Sequence, residues 1–431
     1  MEPSDAALSG APNLEAPARR PRVLRALPGL LRGNADFRRL FAATVVSFLG
    51  DWFAFVAASG LVVDLTGREG LTALVYAANV IPVFAASPLA GVVADRVDRK
   101  RLFVTVNLLA AVPALALLGA LWWRAAWLAV AALALIGVCA AFVEPVTGAA
   151  VPNLVDREDL SLAQAALGSV WGTMLFVGAA IGGLTAAALG RQASFVINAA
   201  TFLVAAGLVA RVRRPFRTGP LPERAGVLAH LGEVWGYVRP RKLTRALMVT
   251  KVGVGLGNGI VGLLPAFALT RFGAGDAGIG LLLAARGFGA LVGPFLGRAV
   301  ARDDGRRLLA VCGMAIVFYG AAYTLLPLTG SLALAAACVV LAHMGGGAQW
   351  VLSTYGLQAT TPDAVRGRVL SLDFGLATLG IGVSSLAAGA GAELVGLEAA
   401  SWAFAVLSIL YGAAWLWWTR DLWRSASDPL A

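Results

Sequence analysis

The sequence predicts an all-α integral membrane protein whose twelve transmembrane helices form two homologous six-helix halves. Three observations lead there. First, of 431 residues 59% are hydrophobic and only 14% charged, with a mean hydropathy of +0.78, whereas a soluble domain carries roughly 25% charged residues. Second, apolar runs of the about 20 residues that cross a bilayer recur from end to end. Third, the second half of the chain repeats landmarks of the first half in order.

The apolar runs are continuous and rich in Ala, Leu and Gly rather than alternating, which favours helices over a barrel. Spans are expected near 37–63, 71–94, 102–122, 126–147, 165–189 and 191–210, then near 244–270, 276–299, 307–327, 331–356, 369–391 and 396–419. The chain divides accordingly into an N-terminal tail (1–36), a first half (37–210), a polar linker (211–243), a second half (244–419) and a C-terminal tail (420–431). Residues 1–33, rich in Ala, Pro and Arg, contain no apolar core of a signal peptide and read as disordered. Cys139, Cys312 and Cys338 fall inside spans and read as packing residues, with no disulfide framework or metal motif. No cofactor is implied.

The net charge of +11 serves topology. Of the 35 Lys and Arg, the expected outer loops and their edges hold Arg68, Arg124, Arg191 and Arg271. Lys251 and Arg286 lie inside spans, and all the others sit in the tails, the linker and the loops of the opposite side. The positive-inside rule places that side, with both termini, in the cytoplasm of a cell (inner or plasma) membrane. Nucleic acid is excluded as a partner, because the basic charge is already accounted for.

The repeat is carried by three sets of matches. Leu49-Gly50-Asp51 in span 1 corresponds to Leu256-Gly257-Asn258 in span 7, and Arg38 to Arg245. After span 2, Pro88, Gly91, Arg96, Asp98, Lys100, Arg101 and Leu102 correspond to Pro294, Gly297, Arg302, Asp304, Arg306, Arg307 and Leu308. Before span 5, Pro152, Val155 and Leu160-Ser161-Leu162 correspond to Pro362, Val365 and Leu370-Ser371-Leu372. Two such halves facing each other across a central site make an alternating-access transporter.

The loop after span 2 reads GVVADRVDRKR from Gly91 to Arg101, six of its eleven residues charged. It resembles motif A of the major facilitator superfamily, with Gly91, Asp95, Arg96, Arg99 and Lys100 in register. FRRLFAATVVSFLGDWF (37–53), VPNLVDREDLSLAQAAL (151–167) and TPDAVRGRVLSL (361–372) are similar to the exporter branch that holds enterobactin and macrolide efflux proteins. The resemblance implies that Gly91 and Asp95 face the start of span 11 when the cytoplasmic side closes. A carboxylate there meets the partial positive charge of a helix N-terminus, worth about 0.3–1 kcal/mol and up to ~2 when partly buried. The motif would then favour the outward-open state, with Arg99 tied to Glu144 at the end of span 4. The competing reading is a plain topology signal, which accounts for Arg96, Lys100 and Arg101 but not for Asp95. Ala301 stands at the second copy's equivalent of Asp95, so the latch is expected on one side only.

An ionisable group inside a span costs at least ~2.5–3.5 kcal/mol and is a functional candidate by default. Asp51, mid-span in helix 1, is expected as a proton-coupling or cationic-substrate site, against a structural hydrogen bond or packing salt bridge. Its repeat partner Asn258 would make the cavity asymmetric. Arg286, near the middle of span 8, keeps its charge and needs a carboxylate or an anionic substrate; Asp51 is one possible counter-ion. Gln349 joins these as a candidate for the substrate or proton pathway, with His343 in the same span read as structural. Lys251 is expected to snorkel to the cytoplasmic surface, and Asp373 to sit favourably at the start of span 11.

Two departures from the superfamily matter. Span 5 carries GAAIGG (178–183), which partly resembles the antiporter motif C but has Ala179 where that motif has proline. Its glycines Gly168, Gly172, Gly178 and Gly182 are expected to pack on span 8. Span 4 lacks the arginine of motif B. There is no GxxxxGK[ST] element for ATP.

The leading reading is therefore a non-enzymatic secondary transporter that exports a small, amphipathic molecule by proton antiport and works as a monomer in the lipid bilayer. The alternative is an importer or lipid-related carrier on the same fold. An integral-membrane enzyme or a non-transporting receptor ranks behind both, since clustered acids and a large polar catalytic loop are lacking.

Overall fold

A computed structural model describes residues 23–217, 227–302, 304–425 and 428–430. Among the described residues, eleven helices are long and apolar enough to cross a membrane. Spans 1 to 4 are Ala35–Thr66, Leu71–Arg96, Arg99–Trp122 and Ala126–Leu154. The helix Leu160–Ala210 is 51 residues long and leaves helical geometry at Gly190 (φ 81°, ψ 159°). That conformation suits a residue without Cβ, and it divides the helix into spans 5 and 6. Spans 7 to 12 are Lys242–Arg271, Gly275–Ala301, Gly305–Leu328, Leu332–Thr360, Val365–Val395 and Leu397–Trp418. The twelve-span architecture of the sequence reading is thereby met.

The repeat has a structural meaning at each landmark. Asp98 accepts a hydrogen bond from the Arg101 N–H at 2.7 Å and starts span 3. Asp304 accepts from the Arg306 and Arg307 N–H groups at 2.9 and 3.4 Å and starts span 9. The duplicated aspartate is thus a helix N-cap. Hydrogen bonds from the Arg306 side chain hold the Asp304 carboxyl below the ordinary carboxylate range. Arg38 and Arg245 likewise do the same thing in each half. Each donates to a carbonyl just before its span, Leu31 O at 3.0 Å and Arg239 O at 2.7 Å.

Two segments are more ordered than their composition predicts. Val23–Gly33, expected within a disordered tail, is a helix. Its Leu30 is buried, and Asn34 behind it accepts from Phe37 N–H at 2.9 Å while donating to Leu154 O at 2.8 Å. Residues 1–22 of that tail lie outside the described residues. The linker contains a second helix, Val227–Val238. Val234 and Val238 bury an apolar stripe against a cluster that includes Leu247 and Leu357. The start of the linker docks on the first half, where Asp36 accepts from the Arg213 and Arg214 N–H groups at 3.1 and 2.9 Å. Arg224 of the linker lies outside the described residues.

The two halves meet through span 5 on span 8 and through span 2 on spans 7 and 11. This contact is closest at the face away from the termini. A Cβ on Gly183 would stand 2.7 Å from Gly280 Cα, and one on Gly389 would stand 2.5 Å from Gly70 O. Only glycine allows backbones so near, and in lipid such close approach replaces the hydrophobic drive as the source of helix association. Ion pairs flank these contacts. Arg191 at the start of span 6 grips Asp276 of span 8 through two bonds of 2.9 and 3.0 Å, and also bonds Asp64 of span 1 at 2.7 Å. Glu393 at the end of span 11 accepts from Arg68 and from the Gly70 N–H, both at 2.9 Å.

Toward the face that carries the termini the halves part. A Cβ on Gly91, Gly168 or Gly172 would meet nothing within 4 Å. The expected packing of the span 5 glycines on span 8 is therefore corrected: Gly178 and Gly182 lie against Trp52 and Phe53 of span 1, and Gly183 is the one that touches span 8.

Gly280→Val tests this contact. A branched side chain overpacks the joint, which costs about 1–3 kcal/mol, and lowers the melting temperature of the purified protein in detergent. Gly168→Ala, in open space, does not lower it. Equal melting of the two variants would contradict the packing described.

Candidate functional site

Among the described residues, Arg286, Asp51 and the pair Lys251 and Asp373, the charged candidates inside the bundle, occupy three separate places. The first is Arg286 on span 8, only 6% exposed. Gly287 beside it lets the helix press against the backbone of Leu175 and Phe176 on span 5, while Gly289 presses on span 10. Those two contacts fix the depth of Arg286 between the halves. Its Nη2 donates to the Tyr76 hydroxyl at 3.0 Å, and its guanidinium carbon lies 5.5 Å from the Tyr76 ring centre. Tyr76 belongs to span 2, so this bond crosses from one half to the other. Tyr319 and Tyr323 of span 9 and His343 of span 10 complete the cluster with edge-on ring contacts of 5.0, 5.3 and 5.9 Å. The Tyr323 hydroxyl and His343 Nε2 share a hydrogen bond of 2.9 Å. Among the described residues Arg286 has no ion-pair partner, so the suggested pairing with Asp51 is not made in this structure.

Asp51 is the second place. Its neighbours in sequence set it in the first half: Gly50 abuts Thr201 and Asn198 of span 6, and Trp52 abuts Gly178 of span 5. Its Oδ1 is buried without a hydrogen-bond partner. Asn258, its counterpart, donates to Val254 O of its own helix at 2.8 Å and is 3% exposed. Span 7 is irregular around it, with Lys242–Gly257 and Gly259–Ala266 as separate helices and a π-turn at Phe267–Arg271. Gln349 is fully buried and donates to Ser353 Oγ at 3.3 Å on its own helix. Neither amide bonds to Arg286 or Asp51.

The third place overturns two expectations. Lys251 does not snorkel and Asp373 does not simply decorate a helix start. They form a buried ion pair between spans 7 and 11, with exposures of 2% and 3%. The Thr354 hydroxyl accepts a second bond from the ammonium at 2.9 Å, and the Trp350 ring lies 5.2 Å away. A lone cation and a lone acid, each inside an apolar run, were the available signal. What was missing is that the two stand at the same depth on adjacent helices.

At the terminal face, the Gly91–Arg101 loop is engaged by its own half and by the start of the linker. Asp95 is half-exposed and pairs with Arg99 at 3.3 Å and with Arg217 of the linker at 3.2 Å. Arg217 also donates to the Asp95 and Ala94 carbonyls at 2.8 and 3.2 Å, closing the C-terminal end of span 2. Arg99 turns to Asp95 and to Ala149 O, rather than to Glu144, which is exposed. Lys100 donates to Val212 O at 2.8 Å. The open space at Gly91 shows that span 11 is not docked here. Arg217 was missed from sequence because it reads as one more linker charge.

Comparison with known proteins agrees with this architecture. The family described as transmembrane secretion effectors, of the major facilitator superfamily, matches residues 31–426. The chain belongs to that family. It is 27% identical over 390 residues to the multidrug efflux pump Tap of Mycolicibacterium fortuitum, covering 86% of this chain and 93% of Tap. Among solved structures, a bacterial homologue of the human lysosomal transporter Spinster, inward-facing and unoccupied, superposes with a TM-score of 0.72 at 15% identity, over 95% of this chain and all of that one (100%). The nucleoside transporter NupG gives 0.66 at 13% identity, over 88% of this chain and 98% of that one. These two likenesses are of fold. The protein is thus a multi-pass major facilitator transporter of a small molecule.

The buried pair yields a test of its own. Removing one partner, as Lys251→Met or Asp373→Leu, destabilises by about 3–5 kcal/mol because it strands a buried charge. The double variant recovers most of that loss, read as melting temperature in detergent. A double variant no more stable than the singles would refute the pairing.

Proposed function

We propose that this transporter exports a small amphipathic molecule by alternating access, in exchange for protons taken up at Asp51. The observation that carries the reading is the asymmetry of the interface, closed at one face by Gly183–Gly280 and Arg191–Asp276 and open at the other around Gly168 and Gly172. Two rigid halves packed backbone to backbone at one end and through mid-bundle, and open at the other end, are what a rocking transporter needs. The distribution of Lys and Arg supports a cytoplasmic terminal face, which makes the present arrangement inward-open, in the cell membrane. The relationship to a multidrug efflux pump over nearly its whole length supports export. The unpaired carboxyl of Asp51 supports proton coupling, because an acid alone inside a span is stable as the neutral form and must gain or lose a proton to act. A single working chain is sufficient, since both halves of the site come from it.

Within this cycle Asp95 changes partners. It now pairs with Arg99 and Arg217. When the terminal face closes, its carboxylate meets the N-terminal end of span 11, and the outward-open state is favoured.

Flux through everted membrane vesicles tests coupling. With an imposed proton gradient and a pH-reporting dye, a panel of cationic, neutral and anionic aromatic amphiphiles contains at least one that collapses the gradient. Asp51→Asn abolishes that response, and a protonophore abolishes uphill accumulation. Uphill export that survives either treatment would exclude proton coupling at Asp51. In the same assay Asp95→Asn retains the parent's melting temperature and loses transport; undiminished flux in that variant would leave the loop a topology signal alone.

A further inference from the structure

We propose that the Arg286 cluster is an anion-recognition subsite, and that the transported molecule carries a carboxylate, sulfonate or phosphate group beside a flat apolar body. The placement of this subsite in a transport path rests on the reading above. Its affinity for anions does not.

Other buried cations in the molecule are already balanced. Lys251 has Asp373, and Arg191 has both Asp276 and Asp64. Arg286, 6% exposed, lies between Lys251 and Arg191 in burial and has no acid among the described residues within ion-pair distance. Asp51 is also alone, but the two cases differ chemically. A stranded carboxyl becomes neutral by taking a proton, whereas a guanidinium keeps its charge at any physiological pH. The charge that must be matched from outside the protein is therefore the positive one.

Geometry agrees with that demand. Arg286 uses one donor on the Tyr76 hydroxyl, and its Nε is buried with no hydrogen-bond partner. The Tyr319 hydroxyl is likewise buried without one. An Nε–H with an adjacent Nη–H forms the fork that grips carboxylate and phosphate oxygens. Tyr319 and Tyr323 make edge-on contacts with His343 at 5.3 and 5.9 Å, and the Tyr323 hydroxyl shares a hydrogen bond with His343 Nε2. Tyr76, Tyr319 and Tyr323 are 5%, 0% and 0% exposed, so a flat organic body reaches the guanidinium by displacing contacts among these rings and packs on their faces and edges in turn. Because Tyr76 comes from one half and the other residues from the second, a bound anion would touch both halves at once.

The test is equilibrium binding to the purified full chain in phosphatidylcholine nanodiscs, with three probes of one shape: 1-naphthoate, 1-naphthamide and 1-naphthylmethylammonium. Naphthoate binds and raises the melting temperature, and the neutral and cationic probes bind at least about tenfold more weakly. Arg286→Gln weakens naphthoate by about tenfold to hundredfold and removes the preference. Arg286→Lys, which keeps the charge without the fork, falls between. Should Arg286→Gln fail to fold, Tyr76→Phe, which keeps the ring, loses part of the naphthoate affinity and little of the amide affinity. Asp51→Asn retains the preference. Three probes of equal affinity, binding of the ammonium alone, no binding by any, or an unchanged naphthoate affinity in both Arg286→Gln and Tyr76→Phe would each overturn the proposal. Phosphatidylglycerol in the nanodisc separates two sources of the anion: competition with naphthoate through Arg286 assigns a lipid headgroup, and its absence assigns a soluble one. Anion binding without flux would sink the export reading and leave the subsite, and flux with no anion preference would do the reverse.

Discussion

Close approach of backbone to backbone at the far face holds this molecule together as a two-part machine. Lipid offers helices no hydrophobic reason to associate, so the halves must be joined by contact that only small residues permit. Gly183 against Gly280 and Gly70 against Gly389 provide it. Everything else at the interface follows from their position. Arg191 and Arg68 reach across beside those contacts, while the ends of the same helices at the other face are free to separate.

Buried charge is distributed with equal economy. Where a helix pair is permanent, as between spans 7 and 11 within the second half, a cation and an acid neutralise each other. Elsewhere in the bundle Asp51 Oδ1 and Arg286 Nε are buried with no hydrogen-bond partner. A stranded charge gains from any rearrangement or ligand that relieves it, which a balanced pair does not.

Much of the fold was legible because a bilayer restricts the choices. Spans, their number and the internal repeat could be read from apolar runs and recurring Gly, Asp and Arg positions. Asp98 and Asp304 appear in the repeat for a local reason, capping the helices that follow them, and local reasons survive in sequence. The pairing of Lys251 with Asp373 does not have that property. Their 122 residues of separation hide a shared depth on two neighbouring helices. The helices Val23–Gly33 and Val227–Val238 were hidden differently, since their order comes from packing on the bundle rather than from their own composition. The tyrosines around Arg286 carry no motif at all, because a site assembled from four spans leaves no contiguous trace.

One arrangement at the far face bears on how easily the cycle turns. Arg191 holds Asp276 in the opposite half and Asp64 in its own. Asp276 in turn lies in the first turn of span 8, where a helix terminus favours a negative charge. If that face opens, neither ion is left bare: the arginine keeps one acid, and the released acid keeps its helix end. Such a latch has a shallow energy difference between fastened and released. It can steady a closed state without becoming a trap, and a modest differential affinity of a transported molecule is then enough to tip the balance.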